Sequence, residues 1–455
     1  MTEAQHHAGK NVRPFVQSEA SDPGLITYHV GLLHHDGQAA TKEMTSPTRF
    51  RAPDCAVGSG SHFGRRRMIA RLLLVAILGP LIALAATWYE PYSITRIGSS
   101  EPVTEDLMMR LREQPSEEVL VEIRSLATGE PGFSDQAAAD VIAAADRLFV
   151  QQFERYGETH DVGVPFDPDN WPIENSTWGL RFCSFIVPSL LAHAFELSGN
   201  PQYLEEAVQY IEDWSAYEES LLMPIGAVFN DHAVAARAII VTDVWRLYRD
   251  SDQFSADKAQ QLLRYVQRLS ALLRYDDLYE YRTNHGLMQN KALMHLAIAF
   301  PGLESRENSE LGLKRVAQQL QHFVNEEGVI LEHSAGYHHQ FVGSLAGVWR
   351  YLALKGESVP AEMIARYERA RRFNDAMLRP DDTLPPIGDT EDHVREPVMR
   401  VEFDDERMSS PVFASSDVRP APAPLLLAPA AGYAIVWHGL DTWPRSETSS
   451  QTIIA

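Results

Sequence analysis

Four short stretches of this chain gather side chains able to move protons or hold an anion. Asn284-His285, in Tyr-Arg-Thr-Asn-His-Gly-Leu-Met-Gln-Asn-Lys-Ala-Leu, sets an amide and an imidazole just ahead of an apolar helical pattern. Taken alone, Asn284 suits the cap of that helix as well as it suits chemistry. Glu332-His333-Ser334-Ala335-Gly336-Tyr337-His338-His339 holds three histidines, a tyrosine and a carboxylate within eight residues. A polar turn is the plain alternative there; imidazole and phenol close to a carboxylate are also what general acid and base catalysis requires. Asn230-Asp231-His232 leads into a helix that Asp231 can cap, with Arg237 nearly two turns further on, either solvated or holding an anion. In Pro386-Ile-Gly388-Asp389-Thr390 the aspartate is equally compatible with a structural turn.

The elements that must position these groups are helices. From about Ser134 to Arg379 apolar residues recur at spacings of three and four. This pattern predicts helices over 135–156, 185–198, 201–217, 231–249, 255–273, 285–300, 309–325, 338–354 and 361–378. Gly199-Asn200-Pro201 and Pro301-Gly302 are stops between them. Such paired helices predict a mainly α fold, a toroid or bundle. After Arg379 the prolines at 380, 385, 386, 397 and 411 and the tract 420–424 predict a linker over 381–430. Gly432-Tyr-Ala-Ile-Val-Trp-His-Gly439 then reads as a strand, the beginning of a β domain over 431–455 that lacks partners.

Composition narrows the function classes. With 455 residues and 45% hydrophobic content the chain can bury a large core. A net charge of −22 and a pI near 5.2 lack the basic footprint of a nucleic-acid partner, so none is expected. An anionic substrate would need a locally basic groove, for which Arg181, Arg237, Arg282 and the histidines are available. Two cysteines, Cys55 and Cys183, rule out a disulfide framework. No GxGxxG, HExxH, GxSxG or CxxC occurs. His338 and His339 are adjacent and point apart on a helix, so no metal site is expected.

Residues 1–67 have few periodic apolar positions and are expected to be a disordered extension or an over-long gene start. The segment 68–88 follows Arg65, Arg66 and Arg67 and reads as a signal peptide or a single membrane anchor. Either reading puts residues after about 90 in a periplasmic, extracellular or lumenal space.

Taken together, Asn284-His285 before a helix, Glu332-His-Ser-Ala-Gly-Tyr337-His338 with Tyr337 52 residues after His285, and Pro-Ile-Gly-Asp389 resemble the heparinase II/III-like polysaccharide lyases, which include oligo-alginate lyases. The resemblance runs from about Trp178 to His393. It implies an (α/α) toroid over 90–380, here incomplete, followed by the start of a β-sandwich, here truncated. It implies β-elimination at a uronic acid in a polysaccharide or oligosaccharide. Asn284 would neutralise the carboxylate, while His285 and Tyr337 would divide the tasks of base and acid. Trp178, Asp231, His232, Arg237, Glu332, His338 and Asp389 would line the substrate groove. It implies no cofactor, because the metal site of some members lies in a sandwich segment that nothing after Gly439 supplies.

Two other readings predict different products. A glycoside hydrolase using Asp231 with Glu332 or Asp389 would give reducing ends without unsaturation. A noncatalytic glycan-binding or polysaccharide-assembly protein would bind uronate chains without turnover.

Overall fold

The computed structural model describes the backbone of residues 15–19 and 27–31 and residues 102–126, 133, 136–155, 157–168, 176–221, 226–379, 383–390, 400–403, 411–414, 425–438 and 450–454. The chain divides into two units, Met1–Leu78 and Gly79–Ala455. In the first, β1 (Phe15–Glu19) and β2 (Thr27–Gly31) pair antiparallel, with Gln17 opposite His29. This pair stands in the stretch 1–67, expected to be a disordered extension or an over-long gene start. The segment 68–88 lies outside the described residues.

The second unit contains twelve α-helices among the described residues: α1 (Glu105–Glu113), α2 (Glu117–Ser125), α3 (Ala138–Leu148), α4 (Ser176–Cys183), α5 (Ile186–Ser198), α6 (Pro201–Ser220), α7 (Asp231–Tyr248), α8 (Ala256–Arg274), α9 (Asn284–Ala299), α10 (Ser305–Phe323), α11 (Ala335–Leu354) and α12 (Ala361–Met377). The sequence reading placed none before Ser134, where α1 and α2 lie. The helix expected over 135–156 is shorter. It stops at Leu148, Gln151 turns left-handed at φ 56°, and an antiparallel pair follows, β3 (Phe153–Arg155) with β4 (Glu158–His160), around Gly157.

Successive helices alternate between two layers. α7, α9 and α11 bury residues around most of their circumference, as does α5 before its last turn, whereas α6, α8, α10 and α12 keep a polar outer face. Each inner helix packs against its following outer one, and α5, α7, α9 and α11 also pack against one another in order, as the outer four do. The outer helices return the chain, so the inner helices run parallel and their N-termini share one end. This is the mainly α toroid expected from the sequence. Its core is rich in aromatic residues, with Trp214, Trp245, Trp349, Tyr210 and Tyr265 fully buried. Among the described residues no single helix is long and apolar enough to cross a membrane. The bent pair α4–α5, at 56°, passes on length and composition, but Phe182, Cys183, Ile186 and Leu190 from it lie in the core.

Small sheets follow. β5 (Arg400–Phe403) pairs with β6 (Pro411–Ala414), and β8 (Tyr433–His438) lies between β7 (Leu425–Ala428) and β9 (Ser450–Ile454), both antiparallel to it. The strand expected at 432–439 therefore has partners on both sides, one of them inside the stretch expected as a linker. A second core cluster, with Ala335, Phe373, Met377, Ala428, Tyr433 and Ile435, seats this sheet against α11 and α12. The ring of Tyr433 meets Phe373 edge-on at 5.4 Å.

Candidate active site

The site lies at the shared N-terminal end of the inner helices. Asn230, not Asp231, caps α7: its side chain accepts from the backbone N–H groups of His232 and Ala233, at 2.9 and 3.3 Å. Thr283, not Asn284, caps α9, accepting from the His285 N–H at 3.2 Å. The two caps leave Asp231 and Asn284 in first-turn positions, with Asp231 free to reach across to α9. Its Oδ2 lies 3.1 Å from His285 Nδ1, joining α7 to α9. The His232 and His285 rings stand 5.4 Å apart. From the third segment, Glu332 Oε1 accepts the backbone N–H of Asn284 at 3.1 Å. Glu332 precedes Ser334, whose Oγ caps α11 by accepting the N–H of Tyr337 at 3.3 Å. Tyr337 is half-buried in the first turn of α11.

The electrostatics divide the two imidazoles. The bond from Asp231 raises His285 above its ordinary 6.5 against the effect of burial, with the charges of Asp231, Glu332 and Glu280 adding to it. Burial lowers His232, and the neighbouring His285 charge lowers it further. Burial opposes ionisation of Asp231, yet its bond to His285 and that ring's charge hold the carboxyl below its ordinary 3.8. Burial raises Glu332 against the pull of the Asn284 N–H and His285. Asp231 thus favours the protonated form of His285 and burial the neutral form of His232, in the first turns of α9 and α7 where the helix dipoles are positive. Such a place favours an anion.

Several expected site residues do structural work elsewhere. Arg237 is 0% exposed. Its Nη2 pairs with the buried Glu218 at 3.2 Å and its Nη1 donates to the Cys183 carbonyl at 3.0 Å, so it cannot offer a groove contact to a sugar carboxylate. A buried guanidinium needs such compensation, and Glu218 needs it equally. Trp178 is 3% exposed, donates to Glu158 and packs 5.8 Å from both Phe153 and Phe182, so its faces are not open for sugar stacking. His338 is 1% exposed, its Nε2 bonds the Ala370 carbonyl at 2.9 Å, and burial pushes it down to about 4. It anchors α11 to α12. Asp389 is exposed on its loop. Its neighbours carry the contact to the site: Thr390 Oγ1 bonds Ser334 Oγ at 3.2 Å and accepts the Gly336 N–H at 2.8 Å.

Other groups that hold the site escaped the sequence reading. The loop before α9 is tied by Gln289, whose Oε1 accepts the Glu280 N–H at 3.0 Å and whose Nε2 donates to the Leu278 carbonyl at 2.7 Å. Gln319 Nε2 donates to the Thr283 carbonyl at 2.6 Å. Both glutamines are 1% exposed, each among other buried polar residues of its helix, such as Asn290 in α9 and Arg315 in α10, so apolar spacing gave no signal for them. Gly286 follows the Asn-His pair because a Cβ there would stand 2.4 Å from the Glu280 carbonyl oxygen. Among the described residues no group of three or more metal-ligating side chains occurs.

The sequence matches the profile of the heparinase II/III N-terminus over residues 128–416. No curated protein matches it. The fold is similar to that of heparinase III, with a TM-score of 0.55 at 14% identity, covering 79% of this chain and 61% of that one. The heparan sulfate lyase HepC from Pedobacter heparinus is a further similar structure, with a TM-score of 0.47 at 19% identity, covering 59% of this chain and 44% of that one. This chain thus spans about three fifths of the length of heparinase III. The matched profile takes in more than half of the 455 residues, including every residue of the cluster around His285, and the chain belongs to the heparinase II/III family.

Proposed function

We propose that this protein is a polysaccharide lyase that cleaves uronic-acid-containing glycans by β-elimination. The observation that carries the reading is the continuous set of contacts from Asp231 through His285 and Asn284 to Glu332, which joins the N-terminal ends of α7 and α9 to the segment leading into α11. A uronate binds with its carboxylate toward the Asn284 amide and the His285 imidazole, whose protonated form Asp231 favours. Their hydrogen bonds and charge lower the energy of the enolate that forms when the C5 proton leaves. The Tyr337 phenolic oxygen, acting as the general base, takes that proton. The electron pair forms the C4–C5 double bond, the C4–O bond breaks, and the Tyr337 phenol returns the proton to the departing oxygen. Proton and charge balance without a cofactor.

Family membership supports a lyase in general, and the name of the family, with that of heparinase III, favours a glycosaminoglycan over alginate as substrate. The arginines ahead of 68–88 support export of the body to a periplasmic or extracellular space through a signal or anchor. The test is to incubate the purified protein with heparan sulfate, heparin, hyaluronan, chondroitin and alginate and follow the ultraviolet absorbance of the 4,5-unsaturated uronate. A rise with one polymer class identifies the substrate. Binding with no rise for any polymer returns the protein to the glycan-binding reading.

A further inference from the structure

The loop entering α9 carries an aromatic and cationic surface that the elimination itself does not use. Tyr281 is 39% exposed. The Arg282 guanidinium lies 5.3 Å from the Tyr281 ring centroid, and its Nε donates to the phenolic oxygen at 3.0 Å. His322, in the last turn of α10, meets the same ring at 5.2 Å. Arg282 and His322 are exposed. Among the described residues Arg282 forms no salt bridge, as the exposed Arg264 and Arg372 form none, while the exposed Arg110 and Arg306 pair with Asp106 and Glu307. The Arg282 guanidinium is held against the Tyr281 hydroxyl and ring, with the Glu280 charge acting on it from the same loop. The surface is also held in place, by the Arg282 N–H on Glu280 Oε1 at 3.1 Å and by Gln319 on Thr283. Arg282 stands two residues before Asn284, so their Cα atoms are at most about 7 Å apart.

We propose that Tyr281, Arg282 and His322 form a sugar subsite beside the elimination centre. Tyr281 takes the apolar face of the neighbouring ring, and Arg282 with His322 takes an anionic substituent, sulfate or carboxylate, on it. A guanidinium fits either anion with two parallel hydrogen bonds, and an aromatic face fits the C–H side of a sugar. The inference rests on the lyase reading for its substrate.

The test compares the full-length protein with Tyr281→Ala, Arg282→Ala, His322→Ala and the control Arg306→Ala, on heparan sulfate hexasaccharides, their desulfated counterparts and alginate hexasaccharides. Turnover is read by ultraviolet absorbance and binding by calorimetry, with circular dichroism as the check of folding. For Arg282→Ala the KM on a sulfated substrate is expected to rise about tenfold with kcat within about twofold of wild type. Arg306→Ala stays at wild type. A defect confined to the sulfated substrate identifies sulfate as the anion, and an equal defect on all three identifies carboxylate. Should the wild type bind without turnover, a weakened Kd in Arg282→Ala still upholds the subsite while the lyase reading fails. Unchanged KM and Kd in both Tyr281→Ala and Arg282→Ala overturn the subsite and leave the lyase standing. Absence of both binding and turnover in the wild type overturns both.

Discussion

Asp231 and His285 stand 54 residues apart in sequence and meet through a 3.1 Å contact between Oδ2 and Nδ1. The carboxylate orients the ring and favours its charged form, and the bond fixes the first turn of α7 against that of α9. Its effect on stability follows from the two shifts. His285 is raised, so its contribution is whole below 6.5 and is lost as pH rises through the folded value. Asp231 is lowered, so its contribution is whole above 3.8 and is lost as pH falls through the folded value. Asp231→Asn should therefore lower Tm most between pH 3.8 and 6.5, the two ordinary values. The same variant should move the alkaline limb of the kcat profile to lower pH, because His285 loses its proton earlier. Thermal scans and rate profiles across pH check both.

Glu332 holds Asn284 by its backbone, so acceptor capacity should matter more than charge. Glu332→Ala, which leaves that N–H without its partner, should cost about 1–2 kcal/mol and reduce kcat. Glu332→Gln keeps an acceptor oxygen and should retain most activity. A carboxyl raised by burial favours the folded form below its ordinary 4.5 and loses that advantage as pH rises through the folded value. The stability of Glu332→Gln relative to wild type should therefore increase with pH over that range, as denaturant titrations at several pH values would show.

Arg237 tests the boundary between groove and core. Removing it leaves the buried Glu218 with only the longer ion pair to Arg268 at 3.6 Å, beside Trp214, whose indole donates to Oε1 at 2.7 Å, and Tyr265, whose hydroxyl donates at 3.0 Å. Arg237→Ala should lose about 2–4 kcal/mol of stability, below the cost of a wholly uncompensated buried charge because Arg268 remains. At a temperature where the variant remains folded, its KM should equal that of wild type. A raised KM with unchanged Tm would return Arg237 to the groove.

Gly388 braces the helix that carries Tyr337. Its φ is 63°, and an added Cβ would stand 3.0 Å from the His333 carbonyl oxygen and 3.1 Å from Ser334, the cap of α11. Gly388→Ala should cost about 1–2 kcal/mol from the backbone alone. It should also lower kcat more than a matched substitution at Gly356, which has φ 69° and no atom within 4 Å of an added Cβ.

The helical body was legible because burial on one face or all round imposes a spacing of three and four, and α5 to α12 follow it closely. The hairpin at 153–160 was not, since it depends on a left-handed Gln151 and on Gly157, which apolar spacing does not report. β7 joins β8 across residues 429–432 only, but it lies in a proline-rich stretch that reads as a linker, and β9 pairs with β8 from beyond residues 439–449, further than local pattern reaches. Of the site, the residue types at 231, 284, 285, 332 and 337 were readable, because polar groups at helix starts stand out from apolar repeats. Burial was not: Arg237, Trp178 and His338 have the chemistry of groove residues and sit in the core. The caps were displaced by one residue, Asn230 for Asp231 and Thr283 for Asn284, and that displacement leaves Asp231 free for His285.

Tyr337 carries the proton in the proposed elimination, and its substitution bears most directly on that chemistry. The rate of 4,5-unsaturated uronate formation should be compared between wild type and Tyr337→Phe on the polymer that wild type cleaves, with folding matched by circular dichroism. A fall of roughly 10²–10⁴-fold in kcat with KM little changed is expected from loss of the phenolic proton carrier. A Phe variant that forms the unsaturated product at the wild-type rate would contradict the assignment and move proton transfer to another group.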